Sequence, residues 1–572
     1  MLYLITGLVY FRMILKKFFD LCWNDRLRKI YMEMPSLIEI VLALIAAMVG
    51  LTILANRSSV PAPLILVPAG VLLGFIPWFP QIELNPDLIL LVFLPPLVYA
   101  GGFSSSWQAF QKNLRPIILL SSGLVLFTMG IVAAVAHRFI PGLSWAAAFV
   151  LGAIVAPTDD VAAATIARRL SLPHRIVSVL EGEGLLNDAT ALTAFRFATA
   201  AVVVGSFSFG EALGSFLAVV FGEVGYGLFL GWAVSKLRQR LKDPALEITV
   251  SLLTPFLAYL PAERLGGSGV LATAIAGLYI GRNFSNMSSP GVRLAAIPIW
   301  QMLVFILNNV LFLVTGLQLK TVIEKTADLP ASTLLYDGAL ISLVVIVARI
   351  IWVFPAAVLP RALSARLRKR DPLPPWRQIF IVSWTGMRGS ISLAAAFGIP
   401  VVTQNGIPFP DRHFIIFITF CVILCTLVLQ GITLPSLIRW LRVDRDGAHE
   451  RRGAHKQETM ARIEATHAAL AEIDAWAKRG ECSNAMARHL QRHYQKQIQI
   501  LSRHRDEEGD GEFGHLSKEE TELQRKALAT ERSKIMDLHN DGRISDNVYR
   551  IIELDLDLQE TRLDQSSHLN HE

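Results

Sequence analysis

Residues 151–169 read LGAIVAPTDDVAAATIARR, and the fold of the chain is decided by this stretch. An apolar run long enough to span a bilayer carries two adjacent carboxylates, Asp159 and Asp160, near its middle. An ionised side chain at that depth costs roughly 2.5–3.5 kcal/mol on insertion scales, so each one requires a partner or a task. Pro157 removes a helix hydrogen bond and disturbs the preceding turn. A helix break is therefore predicted at Pro157–Asp160, with backbone carbonyls freed beside the carboxylates, which is how cation sites are built from interrupted helices. Similar apolar runs recur from Ser36 to Trp440 in a chain that is 53% hydrophobic and 18% charged, below the roughly one quarter charged of a soluble protein. Long runs without alternation are helices rather than barrel strands. The expected fold is all-α, a polytopic membrane bundle of about thirteen transmembrane helices.

The spans run Ser36–Ala55, Pro61–Pro77, Asp87–Gly102, Leu114–Phe139, Ser144–Leu170, Arg175–Gly205, Glu211–Leu237, Leu246–Leu260, Ser268–Gly281, Ile297–Leu319, Leu334–Val358, Gln378–Pro400 and Phe414–Trp440. Their loops sort into two alternating sets. One is rich in lysine and arginine, including Arg115, Arg175, Arg238, Arg293, Arg361 and Arg442; the other is nearly bare of them. The positive-inside rule makes the rich set cytoplasmic, with the first span starting outside and the C-terminal tail inside. Lys16, Lys17, Arg26, Arg28 and Lys29 conflict with that start. A true start at Met32 or Met34 would remove the conflict, so 1–35 is read as an N-terminal extension, and not as a signal peptide. The expected organisation is this extension, a transmembrane domain at 36–442 and a charged cytosolic helical tail at 443–572.

In the tail, Met460–Ala477 and Val548–Leu563 keep apolar residues at helical spacing on either side of a Gly-rich break at Gly509–Gly514. Ten of the thirteen histidines lie there, which fits either a pH sensor or a solvated tail where histidine is incidental. The net charge of +7 resides mainly in short loops and signals orientation, not nucleic-acid binding. Cys22, Cys421, Cys425 and Cys482 form neither a disulfide framework nor a metal-ligand pattern.

The span after the quoted one reads RIVSVLEGEGLLNDATALTAFRFA at 175–198 and carries Glu181, Glu183, Asn187 and Asp188. Glu183 and Asn187 are four apart and share a face, while Asp188 is rotated by roughly 100 degrees from Asn187. Asp159 and Asp188 thus come to comparable depth. Arg349 and Arg388 lie mid-span, beyond snorkelling range, and each calls for a carboxylate. Glu183 is the best candidate, with Asn187 as a polar bridge. Gly386, Gly389 and Ser390 around Arg388 permit a second break or a close crossing. Glu211, Glu223 and Glu247 read as interface or loop residues, and Arg196 as facing the bundle interior or the far interface.

Oxygen ligands suit small hard cations, and a carboxylate taken out of water beside another binds a proton more tightly. Cation and proton then compete for the same oxygens. If the empty site cannot cross between facings because a bare charge is costly in a dry interior, that competition couples the two fluxes. An intramembrane aspartyl protease also uses two buried aspartates, but its GxGD pattern is absent before Asp188, where Gly184, Leu185, Leu186 and Asn187 stand. A channel would instead pass current.

With PTDDVAA at 157–163, EGEGLLNDAT at 181–190, GVLATAIAGLYIG at 269–281 and GMRGSISLA at 386–394, the chain resembles the monovalent cation/proton antiporter family. The likeness is to its sodium/proton exchanger branch and bacterial NhaP-like members, over nearly all of 36–440. It implies two inverted repeats, crossed interrupted helices, a homodimer in the inner (plasma) membrane, and transport rather than enzymatic chemistry, without a cofactor. The partners it implies are Na+, with Li+ or K+ as further candidates, and H+. It implies Asp188 as the principal carboxylate and Asp159 and Thr158 as fellow ion ligands. Asn187 would mark electroneutral exchange, with Glu183 paired to Arg349 and Arg388 near Asn187 organising the core. Asp160, where the family often has Pro or Ala, and Gly184, where it commonly has Ser, depart from the pattern.

Overall fold

The computed structural model describes residues 25–541 except 58–60, 77–85, 171, 205–208, 242, 327–329, 404–405 and 507–512; beyond 541 it describes 548, 552 and 556–560. Among these residues the chain is helical, the only β feature being an isolated bridge between Val402 and Pro408. It forms two units, Met1–Ala448 and His449–Glu572.

The first unit opens with α1 (Asp25–Arg57), α2 (Pro63–Gly74), α3 (Pro86–Ser104) and the short α4 (Trp107–Lys112). Next come α5 (Leu114–Ile118), a π-helical turn at Leu119–Leu124, and α6 (Val125–Phe139). Then follow α7 (Trp145–Val155), α8 (Asp160–Arg169), α9 (His174–Val204), α10 (Phe209–Arg238), α11 (Pro244–Arg264), α12 (Val270–Met287) and α13 (Pro290–Leu317). The unit ends with α14 (Leu319–Glu324), α15 (Ala331–Leu363), α16 (Ala365–Arg370), α17 (Trp376–Trp384), α18 (Ser390–Phe397) and α19 (Arg412–Leu441). The remaining helices are α20 (Val443–Arg479), whose first residues belong to the first unit, α21 (Asn484–Asp506) and α22 (Phe513–Asn540). Residues 1–24, most of the break at 509–514 and most of 548–563 lie outside the described residues.

Six described helical stretches are long and apolar enough to cross a membrane, and five shorter apolar helices accompany them. The helices that bear the candidate site residues escape that criterion because a break halves them, as in α7–α8 and α17–α18, or because they bear several charges, as α9 does. Burial ranks the crossing helices. The most apolar window of Arg412–Leu441 is 67% buried and that of Leu213–Arg238 only 11%, so α19 is central and α10 peripheral. The main core gathers α6, α7, α9, α15 and α19 around Val132, Leu151, Leu185, Ile341 and Phe420. Where helices touch most closely, side chains vanish. A Cβ on Gly70 would sit 2.2 Å from the Leu313 carbonyl oxygen, and one on Gly316 would sit 2.1 Å from that of Val67, so α2 and α13 meet backbone to backbone.

Of the two readings, interface or loop, Glu223 and Glu247 take the first. Glu223, buried on α10, caps the start of α12: it accepts the N–H groups of Gly269 (3.0 Å), Leu271 (3.0 Å) and Ala272 (3.2 Å), together with the Ser268 N–H and hydroxyl. Glu247, buried on α11, accepts from Arg238 Nη2 (2.8 Å) and the Ser288 hydroxyl (2.6 Å). Both carboxylates answer the unmet donors of a helix end or a buried guanidinium, needs that only the packed neighbours create. Arg196 bonds the Gly267 carbonyl and Glu263, and the Glu211 side chain lies outside the described residues.

Candidate functional site

Ser144 caps α7 by accepting the Ala147 N–H (3.2 Å), and Pro157 prevents the helix from continuing. Residues 156–159 leave helical geometry before α8 resumes. A second interruption at 385–389 separates α17 from α18. The two cross: the Asp159 N–H donates to the Met387 carbonyl at 2.8 Å. A Cβ on Gly389 would lie 2.1 Å from Asp159 Oδ2, so the carboxylate rests against the bare glycine Cα. Gly386 yields likewise to the Arg349 side chain, whose Cδ would lie 2.5 Å from its Cβ.

From this crossing a polar chain runs through the protein. Asn187 Nδ2 donates to both the carbonyl (2.8 Å) and the hydroxyl oxygen (2.9 Å) of Thr158. The Thr158 hydroxyl donates onward to Glu183 Oε1 at 2.9 Å. Glu183 in turn receives Arg349 Nη1 at 2.5 Å and Nη2 at 2.9 Å, a bidentate pair whose side chains are 2% and 1% exposed. The remaining Arg349 donors reach the Val382 carbonyl, at 3.2 Å from Nε and 3.1 Å from Nη2. Asp188 is buried one residue along α9 from Asn187, as Asp159 is one residue from Thr158. The Asn187–Thr158 contact therefore brings the backbone of the two aspartates to one level of the bundle. Of the two lone pairs on the Thr158 hydroxyl, Asn187 takes one. The Asp160 side chain lies outside the described residues.

Arg388 departs from the expectation that each buried arginine takes a carboxylate. Its Nη1 donates to the Ala156 carbonyl, an acceptor that the helix break releases, and its backbone N–H donates to the Thr426 hydroxyl at 3.1 Å. Its Nε and Nη2, Asn187 Oδ1 and the side-chain amide of Gln430 are buried with no hydrogen-bond partner among the described residues, so Arg388 and Asn187 are not directly bonded. Thr426 and Gln430 of α19 are residues that sequence reasoning passed over, although Gln430 is a lone amide in an apolar run. The π-helical turn was also not foreseen. It brings Ser122 within 3.2 Å of Thr190 on α9 and exposes the Leu119 carbonyl to Trp352 Nε1 at 2.9 Å.

Comparison with known proteins agrees with this architecture. The family described as sodium/hydrogen exchanger, transmembrane, matches residues 40–440. A protein of Mycobacterium tuberculosis named as an uncharacterized Na+/H+ exchanger is 34% identical over 533 residues, covering 92% of this chain and 96% of that one. A sodium, potassium, lithium and rubidium/H+ antiporter of Bacillus pumilus is 35% identical over 418 residues, 71% of this chain and 61% of that one. A Na+/H+ antiporter of Aphanothece halophytica is 32% identical over 446 residues, 77% and 81% of the two chains. The solved structure of a sodium proton antiporter from Methanocaldococcus jannaschii superposes with a TM-score of 0.58 over 72% of this chain and 99% of that one; at 18% identity this is a likeness of fold. With the family match spanning most of its length and relatives of this identity covering it nearly end to end, the chain belongs to the sodium/hydrogen exchanger family.

Proposed function

We propose that the chain exchanges sodium for protons one for one, at a site formed by Asp188, Asp159 and Thr158 in the inner (plasma) membrane. The observation that carries this reading is the pair of hydrogen bonds from Asn187 to Thr158, which joins the residue before Asp188 to the residue before Asp159. Two aspartates at one level of the bundle beside freed carbonyls offer a small hard ion its oxygens, and the same oxygens bind protons when the ion leaves. A buried site loaded with neither leaves bare charge, so the empty form does not change facing and the two fluxes are coupled. Asn187 spends its amide on Thr158 and adds no titrating charge, which suits a neutral cycle. Glu183 and Arg349 cancel each other and act as the fixed frame that holds Thr158 in place.

Thirteen crossings, an inverted pair of repeats with α7–α8 and α17–α18 as counterparts, and a cytoplasmic tail complete the proposal. The open apolar surface of α10, with Leu217, Phe221, Phe229 and Trp232 exposed, suits lipid or a second copy in a homodimer. Potassium is the second reading, favoured by the Bacillus pumilus relative, whose name includes potassium, lithium and rubidium. The test is proton flux in vesicles reconstituted with the full chain after addition of sodium or potassium. Sodium should drive flux at a rate unaffected by membrane voltage, and Asp188→Asn should abolish it. Sodium-driven flux that survives the substitution would refute the site, and strong voltage dependence would refute the stoichiometry.

A further inference from the structure

At one end of the bundle, three arginines converge on a single carboxylate. Asp371 accepts from Arg115 Nη2 (3.0 Å), Arg175 Nη2 (2.6 Å) and Arg361 Nη2 (2.7 Å), and its backbone carbonyl accepts from Arg361 Nε (3.0 Å). The three come from the start of α5, the start of α9 and the end of α15, all within the loop set that charge assigns to the cytoplasmic side. One aspartate balances one of them and leaves two positive charges over. Arg115 Nε and Nη1 are shielded from solvent and have no acceptor among the described residues. The cluster thus has more donors and positive charge than acceptors, a deficit that an anion carrying several oxygens would fill.

Beside the cluster lies a cleft of about 80 Å³ between α5, the π-helical turn, α9, α15 and α17. Arg175 and Arg361 form part of its wall, and its remaining lining includes Leu120, Val179, Val353, Ala357, Ile379 and Val382. A polar anion has no use for such a wall, whereas a hydrocarbon chain does. We propose that this cluster and cleft bind one anionic phospholipid of the cytoplasmic leaflet, its phosphate on Arg115, Arg175 and Arg361 and an acyl chain in the cleft. Basic pockets between membrane helices recognise acidic headgroups in this manner. The proposal is independent of the ion site, which lies along α9 at Asn187 and Asp188.

Native mass spectrometry of the full chain in detergent tests it, with phosphatidylglycerol, phosphatidylcholine and inorganic phosphate as probes. Phosphatidylglycerol should remain bound at about twenty-five-fold lower concentration than phosphatidylcholine, about fivefold for each of the two unbalanced charges. Inorganic phosphate should not displace it. Ala357→Phe, which fills the cleft and leaves every charge in place, should weaken phosphatidylglycerol binding about tenfold. Arg115→Gln should weaken it about fivefold while Arg175 and Arg361 still hold Asp371. Equal retention of the two lipids on the unmodified chain overturns the proposal whether or not the variants fold. Displacement by phosphate would mean a free-anion site instead. An acidic-lipid preference that survives in both variants would mean a lipid held elsewhere.

Discussion

Replacing Glu183 with glutamine removes one charge and almost no volume, and the structure allows its cost to be worked out. Arg349 loses its counter-charge and one of the two bonds to it, at 2.5 and 2.9 Å, keeping the Val382 carbonyl and at most the amide oxygen. Its side chain is 1% exposed, so water does not replace the lost anion. Breaking a buried ion pair from one side costs about 3–5 kcal/mol. Thr158 also loses a charged acceptor at 2.9 Å, which is worth about 1.5–3 kcal/mol when present, although glutamine's carbonyl recovers part of it. The expected destabilisation therefore lies near the top of the ion-pair range, a large share of the roughly 5–15 kcal/mol that holds a domain folded. Arg349→Met should cost less, since a lone carboxyl can take up a proton. The double variant Glu183→Gln/Arg349→Met should be more stable than Glu183→Gln alone, because it leaves no stranded cation. The assay is the half-life of the folded protein in detergent at fixed temperature, followed by tryptophan fluorescence for the four members of the cycle. If Glu183→Gln stays within about 0.5 kcal/mol of the unmodified protein, or the double variant shows no rescue, the frame role argued for this pair is wrong.

Gly389→Ala should force the Asp159 carboxylate from its seat, because the added carbon would come within 2.1 Å of Oδ2; sodium-driven flux in vesicles should fall by about tenfold or more while circular dichroism stays unchanged. Gly316→Ala drives a methyl against the Val67 carbonyl, an atom that cannot rotate away, and should shorten the thermal half-life in proportion to a loss of about 1–3 kcal/mol. Glu223→Ala strands several donors at the start of α12 and should raise hydrogen exchange at Gly269–Thr273 well before the rest of the helix, with a cost of about 1–3 kcal/mol or more. Unchanged exchange there would show that other groups satisfy that helix start.

The parts of this structure that could be read from sequence are those where a residue type has one physical meaning. Proline at 157 inside an apolar run announces the first interruption, because no other residue lacks the N–H a helix needs. The contact between Glu183 and Arg349 was within reach for a similar reason: charges in lipid are few and must find one another. The second interruption was less legible, since Gly386 and Gly389 suit a tight crossing as well as a break, and the choice depends on Met387 meeting Asp159 across the bundle. Backbone acceptors leave no mark in sequence, so the Ala156 carbonyl that receives Arg388 could not be foreseen. The same blindness left Glu223 between an interface and a loop reading, because what it satisfies is the amide row of a helix starting some forty-five residues later. The π-helical turn at 119–124 has only Ser121, Ser122 and Gly123 to hint at it, a run equally at home in a straight helix.

The bond between the Asp159 amide and the Met387 carbonyl has a mechanical meaning. Each belongs to an unwound segment with no helical neighbour to fall back on, and stripping a peptide group of its partner away from water costs roughly 2–7 kcal/mol. Thermal agitation rarely supplies that, so the two unwound segments are riveted at their intersection and travel as one plate. Under the proposed exchange, any rocking that changes the facing of the site has to move both halves of both interrupted helices together.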